Sequence, residues 1–282
     1  MKTKGRIGLP RNVIPQRQST MRTAAAVLSL AAATVLMLAV VLPLAQAADA
    51  DMGKPAIVLV HGAFADGSSW QHVIPLLQED GYIVTAVQNP MTSLADDIAT
   101  TKRAIEMQKG PVVLVGHSYG GMVITAAAAQ NPNVKALVYI AAFAPDTGES
   151  AGALLKRSKA PDELGPALMP DAGGFLYINR EKFHDVFAKD IPPSEARIAA
   201  ATQKPIFGGI FETPVEAAGW KNIPSWCLVA TEDHAISPDL ERFMAKRINA
   251  TTVEVKASHV AFISHPKEVV KLIKAAAETA AK

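Results

Sequence analysis

The serine at position 118 lies in a run of residues that could present a nucleophile. The run is Gly116-His117-Ser118-Tyr119-Gly120-Gly121, and it separates a short β-branched apolar segment from an Ala-rich one. This pattern predicts a sharp turn between a strand and a helix, with the flanking glycines allowing the two elements to approach closely. Such a turn would place the Ser118 hydroxyl at the carboxyl end of a sheet, where open α/β sheets bind ligands.

A serine hydroxyl is a weak nucleophile until a general base, itself oriented by an acid, takes its proton. Of the seven histidines in the chain, His259 follows the last predicted strand, so we expect it at the sheet edge that carries Ser118. The others lie in turns, in helical patterns, at a helix entry or beside an acid: His61, His117, His72, His184, His265 and His234. We predict that His259 is the base.

The orienting acid is expected after the preceding strand, where Thr231-Glu232-Asp233 offers two carboxylates. In chains with this kind of turn the acid is expected between the serine and the histidine. Asp233 is favoured over Glu232 because its shorter side chain suits a tight loop. Asp146 follows the fourth predicted strand and is the competing candidate, although an aspartate there also suits the cap of its own turn.

Acyl transfer also needs donors for the oxyanion that forms on the carbonyl. The backbone N–H of Tyr119 comes with the turn itself. The second donor is expected in the loop after the first strand, His61-Gly62-Ala63-Phe64-Ala65-Asp66-Gly67, whose small residues let the backbone approach a substrate. We predict that the N–H of Ala63 supplies it.

An alternation of strands and helices must position these residues. Apolar β-branched runs predict strands at 56–60, 82–87, 112–115, 134–140, 225–230 and 252–256. Helical patterns lie at 69–79, 93–108, 119–130, 238–248 and 266–280. This order predicts an α/β fold with a mostly parallel six-stranded sheet flanked by helices. Residues 145–222 interrupt the alternation with helical patches at 180–189 and 193–202, and are predicted to be an insertion rather than a separate domain.

The first 47 residues have the composition of a secretory signal peptide. They contain six basic residues and no acid, an apolar stretch at 24–44 and the exit sequence Ala45-Gln46-Ala47, with Met21 a possible true start. An uncleaved membrane anchor is the alternative, since the stretch is long enough to span a bilayer. Either reading predicts an exported protein, periplasmic or secreted, whose residues 48–282 form a single domain with no further membrane segment.

Composition excludes several classes of protein. The chain is 49% hydrophobic and 19% charged with one cysteine, which excludes a disordered chain and a disulfide scaffold. The net charge is +2, and removing the six basic residues of 1–47 from the 28 leaves 22 against 26 acidic residues. The mature surface therefore gives no electrostatic reason to expect nucleic acid as a partner. No Cys/His cluster or P-loop is present, so no metal and no cofactor are predicted.

From about Pro55 to the C-terminus, the chain resembles the α/β-hydrolase superfamily, and within it the group of plant hydroxynitrile lyases, plant methyl-ester esterases and their bacterial relatives. The resemblance rests on Val58-Leu59-Val60-His61-Gly62-Ala63, on the Ser118 run, on Thr231-Glu232-Asp233 and on Ser258-His259. It implies the α/β-hydrolase fold, a helical cap at about 145–222 inserted after the fourth strand, and the triad Ser118, Asp233 and His259.

The resemblance implies hydrolysis of carboxylic esters with small to medium apolar groups. The lyases of this group carry Thr at Gly62 and Lys at Val260, so both positions favour an esterase. Hydroxynitrile lyase, perhydrolase and amide or lactone hydrolase remain alternatives on the same triad, as does a non-catalytic ligand-binding member; a homodimer is possible. The candidates for the substrate pocket are Phe64, His117, Phe175, Tyr177 and Phe211.

Overall fold

The computed structural model describes residues 53–281, so the predicted signal peptide and the alternative start at Met21 lie outside the described residues. Six parallel strands form the central sheet in the order β2-β1-β3-β4-β8-β9. Their bounds are β1 Ala56–Val60, β2 Val84–Ala86, β3 Val112–His117, β4 Val134–Ile140, β8 Ser225–Ala230 and β9 Thr251–Val255. The α/β architecture predicted from the sequence is confirmed.

The central strands are buried on both faces. Every residue of β1, β3 and β8 is buried, as expected for continuous apolar runs in a sheet covered by helices on both sides. The edge strand β9 is largely exposed instead. Because all six strands run in one direction, their carboxyl ends share one edge of the sheet, where the segments carrying Ser118, Asp233 and His259 begin.

The flanking helices follow the sequence with local differences. Their bounds are α1 Ile74–Glu79, α2 Leu94–Glu106, α3 Gly120–Ala127, α7 Pro238–Arg247, α8 Ala261–Ser264 and α9 Pro266–Ala280. The single helix predicted at 69–79 is a 3₁₀ turn at Gly67–His72 followed by α1, because Pro75 has no N–H and starts a new helix in its first turn. Among residues 53–281, no helix is long and apolar enough to cross a membrane.

The segment between β4 and β8 forms the cap. It contains three helices, α4 Ala151–Leu155, α5 Phe183–Phe187 and α6 Pro193–Thr202. It also contains a three-stranded antiparallel sheet of β5 Leu168–Pro170, β6 Phe175–Ile178 and β7 Ile206–Phe207, which the expectation of a helical cap did not include. Strands of two to four residues are too short to show the alternation by which a strand is recognised in sequence.

Candidate active site

Ser118 lies on the turn between β3 and α3 with a backbone φ of 52°, a left-handed conformation that is rare for serine. Two backbone bonds hold this turn, because the Ser118 carbonyl accepts from Gly121 N at 3.0 Å and from Phe143 N at 3.2 Å. A Cβ on Gly120 would lie 2.5 Å from the Val60 carbonyl oxygen, so helix and strand can meet this closely only without a side chain there. Strain of this kind, held by its surroundings, is typical of a functional turn.

His259 and Asp233 come from the loops after β9 and β8 and meet in the interior. Nδ1 of His259 lies 2.5 Å from Oδ2 of Asp233. The other carboxylate oxygen, Oδ1, accepts from Ala235 N at 2.6 Å and Ile236 N at 2.9 Å. Because Nδ1 faces a carboxylate oxygen, we assign the ring proton to Nδ1, which leaves Nε2 free to act as a base.

The competing acids lie elsewhere. Asp146 pairs with Lys221 at 2.5 Å within the cap, and this pairing lowers the pKa of Asp146. Its Oδ1 also accepts from Thr147 N, as expected for a residue that caps its own turn. Glu232 lies 3.5 Å from Lys256 at the surface. Asp233 is thus the carboxylate of this set that the fold brings to His259.

His117 is fully buried beside His259, not exposed in a cavity. Its Nε2 donates to the carbonyl oxygen of His259 at 2.9 Å, and the two rings lie 4.8 Å apart. Burial, with a contribution from His259, holds the pKa of His117 well below its usual range, so the ring is neutral. His117 therefore fixes the backbone of His259 through this hydrogen bond.

The loop after β1 lies directly against Ser118. A Cβ on Gly62 would lie 2.7 Å from Cβ of Ser118, and the next residue is Ala63, which is 3% exposed. Within residues 53–281, no backbone carbonyl accepts from the N–H of Ala63 or of Tyr119. Both N–H groups are therefore available to an incoming oxygen, as an oxyanion hole requires.

A buried carboxylate that the sequence did not single out, Asp97, holds this region. Asp97 accepts from the hydroxyl of Tyr119 at 2.7 Å and from Met91 N at 2.9 Å. Burial raises the pKa of Asp97 and, together with Asp97, raises that of Tyr119 well above its usual range. The position of Asp97 in a helix 22 residues from Tyr119 gave no signal in the sequence.

The remaining pocket candidates lie in three places. Phe64 lines a cavity of about 280 Å³ together with Phe187 and Val260. Phe211 lies with its ring 6.4 Å from that of Tyr119. Phe175 packs on Phe207 in the cap sheet, and Tyr177 lies in the same strand as Phe175.

Comparison with known proteins agrees with this geometry. The sequence profile of the alpha/beta hydrolase family matches residues 57–272. The alpha/beta hydrolase nvfD of Aspergillus novofumigatus is 29% identical over 249 residues, covering 80% of this chain and 98% of that protein. Methylesterase 8 of Arabidopsis thaliana is 28% identical over 218 residues, covering 69% of this chain and 78% of that protein. A pyrethroid hydrolase from Sphingobium faniae has the same fold, with a TM-score of 0.68 and 24% identity over 79% of this chain and 97% of that one.

The chain therefore belongs to the alpha/beta hydrolase family. It is a hydrolase, and its relatives include plant methylesterases, as the sequence resemblance implied.

Proposed function

We propose that the protein is a serine esterase in which Ser118 is the nucleophile, His259 the base and Asp233 the orienting acid. Oγ of Ser118 attacks the ester carbonyl as Nε2 of His259 takes its proton. The N–H groups of Ala63 and Tyr119 stabilise the oxyanion. His259 then protonates the leaving alcohol, and afterwards activates the water that releases the acid from Ser118.

The observation that carries this proposal is the 2.5 Å contact between His259 Nδ1 and Asp233 Oδ2, at the sheet edge where Ser118 lies on its left-handed turn. An imidazolium forms on His259 in each step of the reaction. The adjacent buried carboxylate stabilises that charge and prevents the ring from flipping to the wrong tautomer.

The cavity beside His259 suits an apolar group of the substrate. Its wall is largely aromatic and aliphatic, formed by Phe64, Phe183, Phe187, Ile198, Val260 and Phe262. A larger cavity of about 610 Å³ lies along the loop after β8 and carries the charged residues Lys156, Asp162 and Glu163. We assign the smaller cavity to the substrate because Phe64, next to Ala63, and Val260, next to His259, both line it. A small to medium apolar ester fits its volume and lining.

The crowding at Gly62 favours ester cleavage over cyanohydrin cleavage. A Cβ at this position would also lie 2.8 Å from Nδ1 of His117, so the threonine of the lyases would require the loop to move. Val260, where those lyases have lysine, is 3% exposed and offers no charge to a leaving cyanide.

The test is hydrolysis of a series of p-nitrophenyl esters of increasing acyl length by the wild type and Ser118→Ala. We expect turnover of the shorter esters and its loss in the variant, with labelling by a fluorophosphonate probe lost in parallel. Ser158→Ala, which changes a cap serine bonded to Ser237, serves as the matched control and should keep both. Unchanged ester turnover in Ser118→Ala would overturn the proposal.

We also propose that residues 1–47 direct export and are removed. Their basic start, apolar stretch and Ala45-Gln46-Ala47 exit support this. N-terminal sequencing of the exported protein should begin at Ala48. A retained apolar stretch in the membrane fraction would indicate an anchor instead.

A further inference from the structure

Asp190 belongs to the cap, in the short segment between α5 and α6, but its carboxylate is bonded to the core. The backbone N–H of Ser258 donates to Oδ2 of Asp190 at 2.9 Å, and the Ser258 hydroxyl donates to Oδ1. Ser258 is 2% exposed and the Asp190 side chain 19% exposed, so the contact is largely shielded from water. Hydrogen bonds to an ionised carboxylate are about twice as strong as neutral ones.

The residue that Asp190 holds is the one directly before His259. The carbonyl oxygen of His259 accepts from His117, so the backbone is fixed on both sides of the base. Phe187, three residues before Asp190, lies with its ring 4.9 Å from the His259 ring. The cap thus contacts the peptide and the imidazole of the base at the same time.

We propose that Asp190 is a positioning residue, which holds the Ser258 peptide from the cap and so keeps His259 aligned with Ser118. The inference rests on the proposed function, since it concerns the base of that reaction. The reach from the backbone of residue 259 to Nε2 is long. A small shift of the Ser258 peptide therefore moves Nε2 by a comparable or larger distance, and such displacements can lower turnover by roughly 100-fold.

Substitution at Asp190 separates this role from a purely structural one. In Asp190→Ala both bonds are lost, together with a 3.7 Å contact between Asp190 Oδ2 and Nδ1 of His265, and we expect kcat for a p-nitrophenyl ester to fall about 10- to 100-fold. KM should change little, because the cavity assigned to the substrate is lined by Ala188 and Ile191 but not by Asp190. Asp190→Asn can still accept from the Ser258 N–H and can donate to the Ser258 hydroxyl, so it should keep most of the turnover.

The matched control is Asp185→Ala, which removes another cap carboxylate. Its side chain is 78% exposed and its ionic contact is with His184, not with the base loop. It should behave as the wild type in kcat and KM. Proton NMR gives a second readout, since the downfield resonance of the proton between His259 and Asp233 should broaden or shift in Asp190→Ala and remain in Asp190→Asn and Asp185→Ala.

The outcomes are distinguishable. If Asp190→Ala keeps the kcat and the downfield resonance of the wild type, the positioning role is wrong, whatever its thermal stability. If Asp190→Ala and Asp190→Asn lose turnover equally with the resonance intact, the effect is not on the base and the role is again wrong. If Ser118→Ala hydrolyses esters as the wild type does, the proposed function is wrong. The downfield resonance of the proton between His259 and Asp233 then decides by itself whether Asp190 orders His259.

Discussion

The Nδ1 atom of His259 lies 2.5 Å from Oδ2 of Asp233, and the two side chains are only 1% and 0% exposed. Water cannot take the place of either partner at this depth. Asp233 is therefore the carboxylate that contacts the imidazole directly, which makes it the most informative place to test the site.

Asp233→Asn should keep the fold and lose the reaction. The amide can donate to the imidazole but cannot stabilise a protonated one, so the ring is held in the wrong tautomer and kcat should fall by about 10⁴-fold. Steady-state hydrolysis of a p-nitrophenyl ester measures the loss, with circular dichroism as the check on folding. Asp146→Asn is the control and should remain near the wild type; the reverse order of effects would identify Asp146 as the acid.

Local patterns sufficed to predict part of this site. Ser118 follows a β-branched strand and opens a helix, and the loops of Asp233 and His259 follow strands, so sequence order alone placed them on one edge. Asp190 and Asp97 gave no such signal. Asp190 bonds a residue 68 positions away, from a cap whose short strands show no readable alternation. Contacts of this kind depend on how the cap packs on the core, and the spacing of residues along the chain does not reveal that packing.

Gly62→Ala should impair catalysis more than stability. The added Cβ would meet Cβ of Ser118 at 2.7 Å and Nδ1 of His117 at 2.8 Å, and both neighbours are held by the fold. The loop must therefore move away from Ser118 and His117, which displaces the N–H of Ala63. A displacement on the order of 1 Å can lower kcat roughly 100-fold. Gly53→Ala, where a Cβ has nothing within 4 Å, provides the neutral comparison; equal kcat values in the two variants would show that the loop has room.

His61 should make the protein sensitive to acid. Burial lowers the pKa of His61 to about 4, although its Nδ1 bonds the Gly62 carbonyl oxygen. The unfolded chain takes up a proton on this histidine near pH 6.5, whereas the folded chain does so only near pH 4. The contribution of His61 to the free energy of unfolding is therefore fully present above pH 6.5 and is lost as the pH falls toward 4. The loss amounts to about 3 kcal/mol for this group.

Urea unfolding between pH 7 and pH 4 measures this effect. A His61→Gln variant should lose stability less steeply over that range, whereas His72→Gln, at a side chain that is 41% exposed, should keep the steep dependence. Parallel curves for the wild type and His61→Gln would show that His61 does not titrate differently in the folded and unfolded states.

Glu241 lies in α7 against the acid of the triad and is 4% exposed. Its Oε2 accepts from Ala230 N at 3.1 Å, and its Oε1 is buried without a hydrogen-bond partner among the described residues. Burial and then the Asp233 charge raise the pKa of Glu241 well above its usual range, against the weaker opposing effect of Arg242. Cys227 is the further titratable group beside it. We therefore expect Glu241 to stay protonated in the fold at pH values where the unfolded chain ionises it.

Replacing Glu241 by Gln should therefore stabilise the protein progressively as the pH rises. The unfolded chain ionises this carboxyl near pH 4.5 and the folded chain does not, so the wild type loses stability above that pH until the folded group also ionises. The amide keeps an acceptor for the N–H of Ala230 and does not titrate. The advantage of Glu241→Gln should grow by at most about 1.4 kcal/mol per pH unit, measured by urea unfolding at pH 4, 6 and 8. Glu79→Gln, at an exposed position, should show no such trend. An advantage that does not depend on pH would mean that Glu241 is already ionised in the fold.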